Sequence, residues 1–233
     1  MSESWLLIET SGRAGKVGLA RGGSVARAAD LDATRRHARD LTPALDGLLR
    51  AEGLGPRDLT GVMVSVGPGS YTGLRVGVMA AKALAYATGC RLVPVGTFAA
   101  IAEQAPAEAG VLWVIADALR EQVYTQRFER NPETGRLVPS HGGVQIEWVN
   151  ESLHWLPAGV WVSGPGVTVY ADRSIPQSCL LVPEADREPS VAGLFAAGQG
   201  VRPVSREELF ALEPLYLRGS SAEEKAKKEK PPG

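Results

Sequence analysis

Cysteine is nearly absent from this 233-residue sequence: Cys90 and Cys179 stand far apart and in no metal-ligand spacing. No disulfide framework can be built from them, and a reducing compartment is the simplest reading. Histidine is as scarce. His37, His141 and His154 form no H-x-x-x-H or comparable pair, so a metal site is not expected. His37 also sits among Arg35, Arg36 and Arg39, which repel a cation. Charge of one sign is missing too. The formal net charge is −1, so no global field draws the chain to nucleic acid or anionic lipid. Long apolar runs are lacking as well. The opening MSESWLLIETSG has no basic n-region, and its apolar run from Trp5 to Ile8 is too short for a signal sequence or a membrane span. The expectation is a cytoplasmic protein without a membrane partner.

What is present is enough apolar material, 44% of residues, for a substantial core. Strands are predicted at Trp5–Ile8, Lys16–Ala20 and Ser24–Leu31, an opening that suggests a mixed sheet rather than a βαβ start. From Thr34 to Ala51 apolar residues recur at helical spacing, with Pro43 either starting a shorter helix after Thr42 or kinking a longer one. Val62–Val66 reads as a buried strand, and Thr72–Thr88 as a helix of small residues. Leu92–Val95 is a further strand and Thr97–Gln104 begins another helix. Pro106–Gly110 marks a boundary between halves. Beyond it, Val111–Ala116 is an apolar strand and Val123–Phe128 alternates as an exposed edge strand would; Ser190–Ala197 is a small helix. VMVSVGPGSY from Val62 echoes VWVSGPGVTVY from Val160, each a strand running into Gly-Pro-Gly, which hints at two related halves. The closing SSAEEKAKKEKPPG is charged and without large apolar residues, so residues 219–233 read as a disordered tail.

The stretch VSVGPGSYTGLRVG, residues 64–77, resembles a phosphate-binding loop in outline only. A P-loop needs G-x-x-x-x-G-K-[ST], but Gly67 and Gly73 are one residue too far apart and Leu74-Arg75 replaces the Lys-Ser/Thr pair. Gly67, Gly69 and Gly73 also miss the dinucleotide spacing, and Ser70 lacks the glycines of a nucleophile elbow. Two readings stay open for Gly67, Pro68, Gly69 and Gly73: free N–H groups at a helix start that bind an anion, or a strand-to-helix turn that needs glycine for packing. No catalytic constellation emerges elsewhere.

GPGSYTGLRVG at 67–77 is similar to the hallmark segment of the bacterial TsaB (YeaZ) family. LLIETS at 6–11 resembles the family's opening strand, with Glu9 where Asp is usual. HARDLTP at 37–43, DALREQVY at 117–124 and PLYLR at 214–218 match in order and spacing. This resemblance implies an α/β fold of two similar halves with mixed sheets, related to actin, Hsp70 and the sugar kinases (the ASKHA, ribonuclease H-like class). The expected halves are 1–105, joined by 205–218, and a smaller 106–204. It implies a role in making N6-threonylcarbamoyladenosine next to the anticodon of tRNAs reading codons that start with A. The chain would serve as a non-catalytic subunit that binds a larger catalytic paralogue, TsaD, with a small ATPase, TsaE, joining the complex. It would form a homodimer when alone and meet tRNA only through the complex. No cofactor is expected to bind tightly, with ATP or ADP at most at the complex interface; Glu9 and Ser11 are candidate vestigial nucleotide contacts. The shared interface would draw on His37, Ala38, Leu41, Leu45 and Leu48 of one helix and Ser70, Tyr71, Leu74, Arg75, Gly77, Val78 and Ala81 of the next. The alternative is an ATP-binding or hydrolytic enzyme of the actin-kinase or glycoprotease class.

Overall fold

Runs of branched apolar residues bounded by glycine make eleven strands, and helical-period segments between them make seven helices among the described residues. The computed structural model describes residues 3–31, 37–140 and 142–217; His141, Arg218 and the expected tail lie outside them. The first half comprises β1 (Ser4–Glu9), β2 (Lys16–Arg21), β3 (Ser24–Asp30), α1 (His37–Ala51), β4 (Gly61–Gly67), α2 (Tyr71–Thr88), β5 (Arg91–Gly96) and α3 (Thr97–Ala102). The rest comprises β6 (Val111–Asp117), β7 (Gln122–Arg130), β8 (Leu137–Pro139), β9 (Gln145–Trp148), α4 (Val149–Ser152), β10 (Trp161–Ser163), α5 (Gly166–Tyr170), β11 (Leu180–Leu181), α6 (Val191–Gly198) and α7 (Arg206–Ala211).

Both sheets share one wiring. The first has the order β3-β2-β1-β4-β5, antiparallel on the hairpin side and parallel from β1 through β4 to β5. The second runs β8-β7-β6-β10-β11, with β9 also on β7 and the same change from antiparallel to parallel at its central strand. The two Gly-Pro-Gly segments therefore occupy equivalent places, each coming directly after the first parallel neighbour of the central strand. The echo in the sequence is a structural repeat.

Leu6, Leu7 and Ile8 of β1 are all fully buried because both faces of the first sheet are covered. Leu6 and Ile8 pack with Leu41, Leu48 and Leu49 of α1 and Val78, Ala81 and Ala85 of α2. Leu7 faces the other way, onto Val191, Leu194 and Phe195 of α6. Helix α6, expected with the C-terminal half, thus completes the core of the first; its all-apolar VAGLF fits a site enclosed between a sheet and α3.

Two other expectations are resolved or corrected. Helix α1 runs from His37 to Ala51 through Pro43, so the longer helix is the right alternative. Strand β7, expected at an edge, is interior: β6 pairs with its whole length, while β9 and β8 cover its two ends in turn. Two short partners leave room for polar side chains, which explains the misleading alternation.

Candidate interaction site

The glycine turn is a packed joint. Ser70 N–H donates to Ser11 O at 2.7 Å, and a Cβ on Gly69 would overlap that same oxygen. Gly77 lies so close to β1 that a side chain there would strike Thr10 Oγ1. Of the two open readings, the geometry is that of the strand-to-helix turn requiring glycine for close approach. Ser70 caps α2, its Oγ accepting from Gly73 N–H at 3.2 Å. Glu9, at the end of β1, is buried; its Oε1 accepts from Ser11 N–H at 2.7 Å and from Ser11 Oγ–H at 2.5 Å. Burial pushes its carboxyl up, more than the Ser11 donors hold it down. Its Oε2 has no hydrogen-bond partner.

The anticipated interface residues divide between two faces. Leu41, Leu48, Leu74, Gly77, Val78 and Ala81 are buried against the chain's own sheet, so they are core rather than contact surface. Tyr71 and Leu45 are half-buried and Arg75 is exposed. Arg75 lies over the Tyr71 ring at 5.4 Å, and Tyr71 packs on Tyr216 with ring centroids 4.8 Å apart. The side chains of His37 and Ala38 lie outside the described residues. Residues that sequence reasoning missed make the outer face. Met79, Tyr86 and Phe210 are each 61% exposed, and Tyr86 meets Phe210 edge-on at 5.5 Å. Lys82 Nζ holds α7 beside α2 by donating to Phe210 O at 2.8 Å and Leu212 O at 3.0 Å. Between α1 and α2 runs a groove of about 620 Å³ lined by Pro43, Leu45, Leu49, Ala80, Ala83 and Leu84.

Two signals for this face were present in the sequence. Helix α2 is apolar nearly all round, with only Arg75 and Lys82 charged, so it has a second apolar stripe besides the core one. Ser205-x-x-Glu208 is a capping box that announces α7, with Ser205 Oγ accepting from Glu208 N–H and Glu208 Oε2 from Ser205 N–H.

A second concavity, about 750 Å³, separates the halves and is lined by Gly67, Gly96, Gln126, Phe128, Val144 and Leu215. Among the described residues its lining is mostly apolar, and Glu213 is the one charged side chain in it. Among the described residues no group of three or more His, Cys, Asp or Glu side chains is placed to hold a metal. No helix among them is long and apolar enough to cross a membrane.

Two mixed sheets of like wiring, each with a Gly-Pro-Gly turn into a helix, define an α/β fold of two similar halves. YeaZ from Pseudomonas aeruginosa has this fold: it superposes with a TM-score of 0.75 over 92% of this chain and 100% of its own, at 22% identity. The sequence family described as TsaD, tRNA N6-adenosine threonylcarbamoyltransferase, matches residues 31–148, just over half of the chain. The TsaB protein of Escherichia coli is 28% identical over 229 residues, 93% of this chain and 95% of that protein. That of Bacillus subtilis is 33% identical over 116 residues, but this match spans only 49% of this chain and 51% of the relative. The chain belongs to the TsaB/YeaZ family of tRNA threonylcarbamoyladenosine biosynthesis proteins, within the broader sequence family named for TsaD.

Proposed function

We propose that this chain is a non-catalytic subunit of the machinery that forms N6-threonylcarbamoyladenosine on tRNA, and that it acts by binding a catalytic TsaD-like paralogue. The observation that carries this reading is the outer face of α1, α2 and α7. It combines an apolar groove with Met79, Tyr86 and Phe210, large apolar side chains left in solvent on rigid helices. The glycine turn supports it from the other side. Its N–H of Ser70 is committed to Ser11 and its glycines to close packing, which leaves this joint a mechanical role. On this reading the chain pairs with itself when alone, meets a TsaE-like ATPase and tRNA only through the complex, and holds no cofactor tightly. Any ATP or ADP sits at the complex interface.

The test is co-purification with the paralogue and then a tRNA modification assay with and without this chain. Capture of the paralogue and modification only when both are present are expected. Full modification without this chain, or threonylcarbamoyl transfer by this chain alone, would overturn the proposal. Stoichiometric ATP binding or hydrolysis by the isolated chain would favour the enzymatic alternative instead.

A further inference from the structure

We propose that Glu9 is a positioning residue: through Ser11, its carboxyl fixes the glycine turn and the first turn of α2. The contacts form an unbroken relay. Oε1 of Glu9 holds Ser11 by its N–H at 2.7 Å and its Oγ–H at 2.5 Å. Ser11 O in turn accepts from Ser70 N–H at 2.7 Å and is the atom against which Gly69 packs. Ser70 then caps Gly73, and its carbonyl accepts from Leu74 N–H at 2.9 Å. Helix α2 carries Met79 and Tyr86, so a buried carboxyl on the central strand governs the attitude of the outer face. That consequence for docking rests on the partner role proposed above; the local relay does not.

The surroundings of Glu9 shift its carboxyl above the ordinary carboxylate range: burial raises it most, and the Ser11 donors, the Ser65 side chain and the Lys16 charge offset part of the rise. Lys16 stands opposite it in register on β2, but its Nζ donates to Pro189 O at 2.8 Å and Oε2 of Glu9 meets no donor. From β4 the neighbouring group is Ser65, which does not titrate; its Oγ accepts from Thr10 N–H at 3.2 Å, and its side chain also holds the Glu9 carboxyl down. The segment entering α6 brings the Glu188 side chain close to Gly12. An ionised carboxylate oxygen left without a partner in this setting is far costlier than a protonated one. Burial raises the folded-state value, so the stability contributed by this carboxyl declines as pH rises through that value, while the Ser11 donors hold Oε1 in either form and more strongly once it is ionised.

Amide exchange in the full chain tests the relay at residues 70–74, with the core strand β1 as internal reference. Glu9→Gln keeps a neutral acceptor for Ser11 and is expected to preserve slow exchange. Glu9→Ala should speed exchange at 70–74 by about tenfold relative to β1. In the unmodified chain, exchange at 70–74 corrected for base catalysis should change with pH as Glu9 ionises, while Glu9→Gln stays flat. Parallel pH profiles for the two, or Glu9→Ala acceleration spread evenly through the core, would overturn the assignment. If Glu9→Ala does not fold, the comparison of Glu9→Gln with the unmodified chain still decides. Capture of the paralogue should weaken about tenfold in Glu9→Ala and hold in Glu9→Gln. If even the unmodified chain captures nothing while the exchange pattern appears, the partner role falls and the relay stands.

Discussion

After the same Gly-Pro-Gly turn the first half lays down a helix of 18 residues and the second half one of five. In both, a glycine of the turn presses on backbone of the central segment: Gly69, the last of its turn, on Ser11 O just past β1, and Gly164, the first of its turn, on Ile115 O within β6. The joints are alike, but the helices they launch are not. Helix α2 is long enough to cover the sheet with Leu74, Val78 and Ala81 and still show Met79 and Tyr86 to solvent. Helix α5 ends at Tyr170, whose hydroxyl turns back to donate to Asp117 Oδ1 at 2.7 Å. One half extends outward from the repeat, and the other closes on itself. The helix after the joint, not the joint, distinguishes the two halves, and on the proposed function it separates an interaction module from a supporting one.

The largest effects should come from confusing the two faces of α2. Leu74 is 1% exposed, and Leu74→Glu places a carboxylate inside the first core, at a cost of about 4 kcal/mol or more. Denaturant unfolding should show a chain that barely folds. Met79→Glu, three-fifths exposed, should stay within about 0.5 kcal/mol of the parent and still lose capture of the paralogue. Equal stability of the two variants would mean that α2 is turned the other way. The same comparison can be made at the joints. Gly164 has φ near +100° and faces the backbone oxygen of Ile115 within the β6 ladder, so Gly164→Ala should cost about 3 kcal/mol. Gly69 faces Ser11, which lies in a bend outside the strand ladder and has more room to give; Gly69→Ala should cost about 2 kcal/mol. Reversal of that order would show that the first joint is the more rigid.

Much of this comparison could be read in the sequence, because strand runs such as Trp5–Ile8 and Val111–Ala116 are apolar at every position and signal strands covered on both faces. The repeat surfaced through one shared Gly-Pro-Gly. What misled was helical periodicity. Leu41, Leu48, Leu74, Val78 and Ala81 stood out because they share a stripe, and such a stripe marks the face that meets the chain's own sheet. The solvent-exposed face lies on the complement, where Met79, Ala83 and Tyr86 recur with the same spacing, and only the sheet's position tells the two apart. The destination of α6 was hidden for a related reason: its apolar residues state that it is buried, not against which half.

The smallest expected effect concerns the closing contact of the second half. Tyr170→Phe removes the donor to Asp117 but leaves the ring in its core among Ile115, Val123 and Val167. Asp117 is exposed, so water replaces the lost bond and the change should cost only about 1 kcal/mol at neutral pH. The alkaline range separates this contact from simple packing. Burial, and then the bond to Asp117 and its negative charge, push the Tyr170 hydroxyl well above its ordinary value. In the unfolded chain the phenol ionises near its ordinary value of about 10, while the folded chain keeps it protonated. The unfolded state therefore binds fewer protons there, and stability contributed by this group declines as pH climbs beyond that point. Denaturant midpoints taken at neutral pH and above pH ~10 should fall more steeply in the parent than in Tyr170→Phe. Curves that run parallel would place the hydroxyl in contact with solvent, and the second half would then be held shut by its core alone.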